Sequence, residues 1–85
     1  MILMTKLELG QAEQTVYAVE GNSSRKIASV DLMSLSGALS GLYYTNQAEK
    51  ILIQGPNDYA KDIEEDTRCC YLTTYGNREI NIEII

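Results

Sequence analysis

The stretch DLMSLSGALSGLYYT, residues 31–45, decides the fold, because it is where the hydrophobic period of the chain changes. Leu32, Leu35, Leu39 and Leu42 recur at spacings of three and four, with Ala38 and Tyr43 widening the stripe. Such spacing puts apolar side chains on one face of an α-helix. Ser29 or Asp31 is placed to accept from the orphan N–H groups of its first turn, and Thr45 and Asn46 mark its end.

Upstream of this helix the period is two. Ile2 to Leu9 sets Leu3, Leu7 and Leu9 against Met4, Lys6 and Glu8, and Gln14 to Glu20 sets Tyr17 and Val19 against Val16 and Ala18. With Gly10, Gln11, Ala12 and Glu13 between them, the two runs read as a β-hairpin. Gly21, Asn22, Ser23 and Ser24 supply a second reversal, so Arg25 to Val30 is a third strand, antiparallel to the second.

Downstream, Ile51, Leu52 and Ile53 form a continuous apolar run, expected as a central strand buried on both faces. Gly55, Pro56 and Asn57 stop it, and Pro56 with Asn57 or Asp58 suits the start of a second helix. The inner stripe of that helix reads as Ala60, Ile63, Thr67 and Cys70, with Tyr59 and Tyr71 beside it. Lys61, Asp62, Glu64, Glu65 and Asp66 lie mostly outside. After the break at Gly76 and Asn77, Glu79 to Ile85 alternates Ile80, Ile82 and Ile84 against Glu79, Asn81 and Glu83, as a last strand with its isoleucines in the core. The order β-β-β-α-β-α-β predicts an α/β (α+β) fold, a single domain over residues 1–85 with two helices packed on a mixed sheet.

Composition narrows the function classes. A chain of 85 residues removes only about 60 to 65% of its unfolded surface on folding, so its core is thin. Phe and Trp are absent, which leaves aliphatic side chains to fill it. The net charge of −5, with Lys6, Arg25, Lys26, Lys50, Lys61, Arg68 and Arg78 dispersed along the chain, argues against a nucleic-acid partner. Met-Ile-Leu-Met at the N-terminus is too short for a signal peptide or a membrane span, so a cytoplasmic protein without a membrane partner is expected. Cys69 and Cys70 are neighbours, and a disulfide between adjacent residues is strained. Two free thiols in a reducing compartment are expected.

Three antiparallel strands followed by two helix–strand units resemble the ribonuclease H-like fold of nucleases, resolvases and the half-domains of actin-like ATPases. Glu8, Leu9 and Gly10 look like the acidic-x-Gly corner after the first strand of those families, and Ile51 to Gly55 look like their hydrophobic fourth strand ending in glycine. The resemblance implies a carboxylate-bound metal or a nucleotide site. This chain departs from it where the chemistry would sit: the fourth strand ends in Gln54, and no acid lies between Leu32 and Gln47. Two-metal nucleases need several converging carboxylates, and Glu8 with Asp58 is only a pair. Gly10 to Glu13 supplies one glycine and a negative charge where a phosphate would be cradled.

No catalytic, cofactor-binding or metal-ligating set emerges. Histidine is absent, which removes Cys–His and Ser–His catalysis and leaves a zinc site short of ligands. Gly37 and Gly41 each cost about 1 kcal/mol relative to Ala inside a helix, and with Ser34 and Ala38 they form a flat strip. Close packing within the fold is one reading of that strip. The other is a helix-to-helix contact between subunits, with Gly37, Gly41, Tyr43 and Tyr44 as the interface. Asp62, Glu64, Glu65 and Asp66 read as a solvated face or as a surface for a basic partner. The expected function is a non-enzymatic, homo-oligomeric accessory or interaction protein without a cofactor, of the small standalone kind encoded by bacteria or their phages. The alternatives are a degenerate ribonuclease H-like domain with residual metal or nucleotide binding at Glu8 and Asp58, and an acidic binder of a host or partner protein.

Overall fold

The computed structural model describes residues 1–85. Its elements follow the expected order: β1 (Ile2–Lys6), β2 (Gln14–Glu20), β3 (Ser23–Val30), a 3₁₀ turn (Leu32–Ser34), α1 (Leu35–Thr45), β4 (Lys50–Gln54), α2 (Asn57–Tyr75) and β5 (Ile82–Ile84). The strands form one mixed five-stranded sheet in the order β3-β2-β1-β4-β5. β2 is antiparallel to both its neighbours, and β4 is parallel to β1 and to β5.

Both helices lie on one face. The crossovers from β3 through α1 to β4, and from β4 through α2 to β5, advance across the sheet in the same direction, and two crossovers of the same hand then cover the same side. Leu3, Val16, Ile51 and Ile53 of that side pack with Leu35, Leu39, Ala60 and Ile63 in a single cluster. On the opposite side Ile2, Met4, Tyr17, Val19 and Leu52 are half-buried by their strand neighbours, with no helix above them.

Several local expectations change. The central strand is β1, and β4 stands beside it with Leu52 on the uncovered face. β1 stops at Lys6 because the chain turns away into a loop held by the buried side chain of Gln14. Its Oε1 accepts from the Glu8 N–H at 2.8 Å, and its Nε2 donates to the Glu8 carbonyl at 3.0 Å. Leu9, expected on the core face, is therefore 50% exposed.

Asp31 is the cap: its Oδ1 accepts from Ser34 N–H at 2.8 Å. The turn it opens is 3₁₀ rather than α, which swings Leu32 and Met33 outward and starts the buried stripe at Leu35. In α2 the buried positions are Ala60, Ile63, Thr67 and Tyr71, so Tyr71 and not Cys70 completes the stripe. The Thr67 hydroxyl donates to the Ile63 carbonyl at 2.6 Å, which satisfies a polar group in the core. Gly76 ends α2 in the left-handed region at φ 67°, its N–H bonded to the Leu72 carbonyl.

The last strand is shorter than the alternation suggests. Ile80 is buried but precedes β5, and its carbonyl accepts from Arg68 Nη1 at 2.8 Å. No helix is long and apolar enough to cross a membrane.

Candidate functional site

The outward swing of Leu32 and Met33 and the departure of Leu9 from the sheet open a groove beside α2. Leu7, Gln14 and Val30 line its base. One wall carries Leu32, Met33, Gly37 and Ala38, and the other carries Tyr59, Asp62, Ile63, Asp66, Cys69 and Cys70 of α2. Its volume is about 900 Å³. Apart from Ile63, which belongs to the buried stripe, these α2 positions form a second stripe one step round the helix, so a single helix serves both core and groove.

Exposed apolar residues scattered singly are ordinary, whereas a contiguous group is not. Of the seven large apolar residues exposed on this protein, Leu9, Leu32, Met33 and Tyr59 all line the groove. Met33 is 97% exposed. The charged lining residues are both acids, Asp62 and Asp66, with no Lys or Arg among them. Cys69 is exposed, Cys70 is half-buried, and both are free thiols.

The residues singled out from sequence are divided by the structure. Gly37 lines the groove and is exposed, and a β-carbon there would meet nothing within 4 Å, so packing inside the fold does not demand it. Gly41 lies one turn on, where a β-carbon would stand 3.8 Å from the Tyr75 hydroxyl, an ordinary contact. Tyr43 and Tyr44 belong to a tyrosine cluster at the far end of the two helices. Tyr44 stacks on Tyr75 at 4.0 Å between centroids, and Tyr43 meets Tyr71 edge-on at 5.5 Å. The Tyr43 hydroxyl also accepts from the Asn81 N–H at 3.3 Å. Burial, together with the neighbouring phenols Tyr43, Tyr44 and Tyr75, pushes the Tyr71 hydroxyl above its ordinary value of 10.0. Gly41 thus adjoins the tyrosine cluster through Tyr75, while Gly37 faces the groove.

Glu8 sits exposed in the loop after β1, and Asp58 sits exposed in the first turn of α2. Nowhere do three or more Cys, Asp or Glu side chains converge as metal ligands. The groove residues escape a sequence reading because they come from the first loop, the 3₁₀ turn and α2. The available signal is Met33, an apolar residue just off the helical stripe and two residues after the capping Asp31. No protein-family model and no curated protein matches the chain.

Proposed function

We propose that this protein is a non-enzymatic interaction module, and that the groove between the 3₁₀ turn and α2 receives an apolar segment of another protein. The observation that supports it is the gathering of Leu9, Leu32, Met33 and Tyr59 round one cleft whose only charges are Asp62 and Asp66. Charge complementarity selects the occupant: an amphipathic helix with Lys or Arg flanking its apolar stripe. The wall from Tyr59 to Cys70 runs about 16 Å along α2, which matches roughly three turns of such a helix. The two unpaired thiols suit a reducing compartment and a cytoplasmic protein.

A Leu/Lys amphipathic peptide of about 18 residues, titrated into the isotopically labelled protein, tests this reading. Binding on the order of 10 µM is expected, with amide shifts centred on Leu9, Met33 and Tyr59. The Leu/Glu counterpart should not bind, and Asp62→Lys with Asp66→Lys should abolish binding of the Leu/Lys peptide. Saturation with no shift near Met33 would overturn the groove assignment. Mg²⁺ shifts confined to Glu8 and Asp58, with no response to peptide, would favour the degenerate ribonuclease H-like reading instead.

A further inference from the structure

The sheet face opposite the helices carries an ordered pattern across its strands. Met4 on β1 pairs with Tyr17 on β2 and with Leu52 on β4, Tyr17 pairs with Lys26 on β3, and Leu52 pairs with Glu83 on β5. Directly paired residues share a face, so one row crosses the whole sheet: Lys26, Tyr17, Met4, Leu52, Glu83. A cation stands at one edge and an anion at the other. Between them lie three half-buried apolar side chains, the middle one on the central strand.

Such a row is complementary to itself under one rotation. For two sheets stacked face to face, a two-fold axis along β1 exchanges β3 with β5 and β2 with β4. Lys26 then lies over Glu83 of the partner subunit, Tyr17 over Leu52 of the partner subunit, and Met4 over its own copy. An axis across the strands would instead set Lys26 over Lys26 and Glu83 over Glu83. Like charges facing each other oppose association, so charge chooses between the two arrangements.

We infer that the uncovered sheet face is a self-association surface, which forms an isologous dimer about an axis along β1. Glu83 already holds Lys50 of its own chain at 3.0 Å, and a carboxylate has acceptor positions left for a second ammonium. Lys6, exposed at the end of β1, meets its own copy only at the rim, where its stem reaches water. The face spans about 20 by 15 Å, well under the roughly 800 Å² per partner of a stable complex, so the dimer is weak. Its dissociation constant is on the order of 100 µM. The groove lies on the other side of the sheet, and this surface does not depend on it.

Sedimentation equilibrium from about 20 µM to 1 mM, a range that brackets this affinity, tests the inference. Dilution shifts of the amide resonances locate the surface. The mass should rise toward that of a dimer, with shifts at Ile2, Met4, Tyr17 and Leu52. Lys26→Glu and Glu83→Lys, both at exposed positions and checked for folding by circular dichroism, should each stay monomeric throughout the range. An equimolar mixture of the two should dimerise again, because one subunit then carries an acid at both ends of the row and the other a base at both ends, so each cross-subunit pair unites opposite charges. A wild-type monomer at 1 mM, dimers indifferent to both substitutions, or a mixture that stays monomeric would overturn it. Shifts confined to Met33 and Tyr59 would place self-association in the groove and would overturn it as well.

Discussion

A β-carbon built on Gly55 stands 2.8 Å from the Cβ of Leu7, and 3.2 Å from its Cγ and Cδ1. The approach exists because the Leu7 N–H donates to the Gln54 carbonyl at 2.7 Å, which draws the end of β1 against the end of β4. Leu7 is buried, so the contact closes one end of the core.

Gly55→Ala should therefore destabilise the protein by about 1 to 3 kcal/mol, as overpacking does, with a matching fall in urea midpoint. Adding Leu7→Ala should not rescue it, since alanine keeps the Cβ that makes the shortest contact. A double variant as stable as the wild type would show that the two strand ends separate freely.

Gly37 is the opposite case. It sits inside α1 with open space where a β-carbon would go, so Gly37→Ala should gain up to about 1 kcal/mol of helix propensity. For a domain of this size that is a rise of roughly 4 to 8 °C in the melting temperature. A fall instead would mean that the helix needs this glycine for a reason other than space. If the groove receives a partner helix, the same substitution should weaken peptide binding while it raises stability, because the methyl group enters the lining.

The element order was legible because each change of period, from two to 3.6 and back, coincides with a turn residue or a cap. Sheet order was less so: the Ile51–Ile53 run reads as central on hydrophobicity, yet centrality depends on which edge the last strand joins. The groove was the least legible part. Leu32 fits the helical stripe by spacing, and only the choice of a 3₁₀ turn after Asp31 turns it to solvent. Leu9 likewise alternates correctly until Gln14 captures the backbone of Glu8. The tyrosine cluster had a usable signal, since Tyr71 and Tyr75 are one turn apart on α2 and Tyr43 and Tyr44 end the helix before it. Their meeting depends on the packing of the two helices, which no spacing within one helix reports.

Arg68 links α2 to the segment before β5. Its Nη1 donates to the Ile80 carbonyl at 2.8 Å, while Nε and Nη2 hold Glu64 Oε2 at 3.2 and 2.8 Å. The Glu64 pair is partly exposed and contributes little by itself. The bond to Ile80 positions a buried side chain. Arg68→Met keeps the aliphatic stem but loses that bond, and should cost about 1 to 2 kcal/mol. Glu64→Gln should cost under about 0.5 kcal/mol. Amide exchange should quicken at Ile82 to Ile84 in the first variant and not in the second. Equal effects of the two substitutions would mean that the ion pair, not the Ile80 contact, anchors β5.

The raised proton affinity of Tyr71 predicts a loss of stability on the alkaline side. In the unfolded chain its phenol loses a proton near 10.0. In the folded protein, burial and the three neighbouring phenols hold that proton to a higher pH. Above the unfolded value the native state thus binds more protons than the unfolded state, so stability falls as pH rises. The contribution of Tyr71 is fully present below pH 10.0 and is lost progressively as pH climbs from there through the raised native value. Melting temperatures should therefore be flat with respect to this group from about pH 7 to 9 and drop on going to about pH 11. Tyr71→Phe keeps the ring and removes the ionisation, so its melting temperature should fall less over the same interval. Absorbance at 295 nm should show one of the six tyrosines of the wild type ionising late or together with unfolding, and that delayed phase should vanish in the variant. If the variant and wild-type curves stay parallel up to about pH 11, the proton on Tyr71 is not what limits stability there.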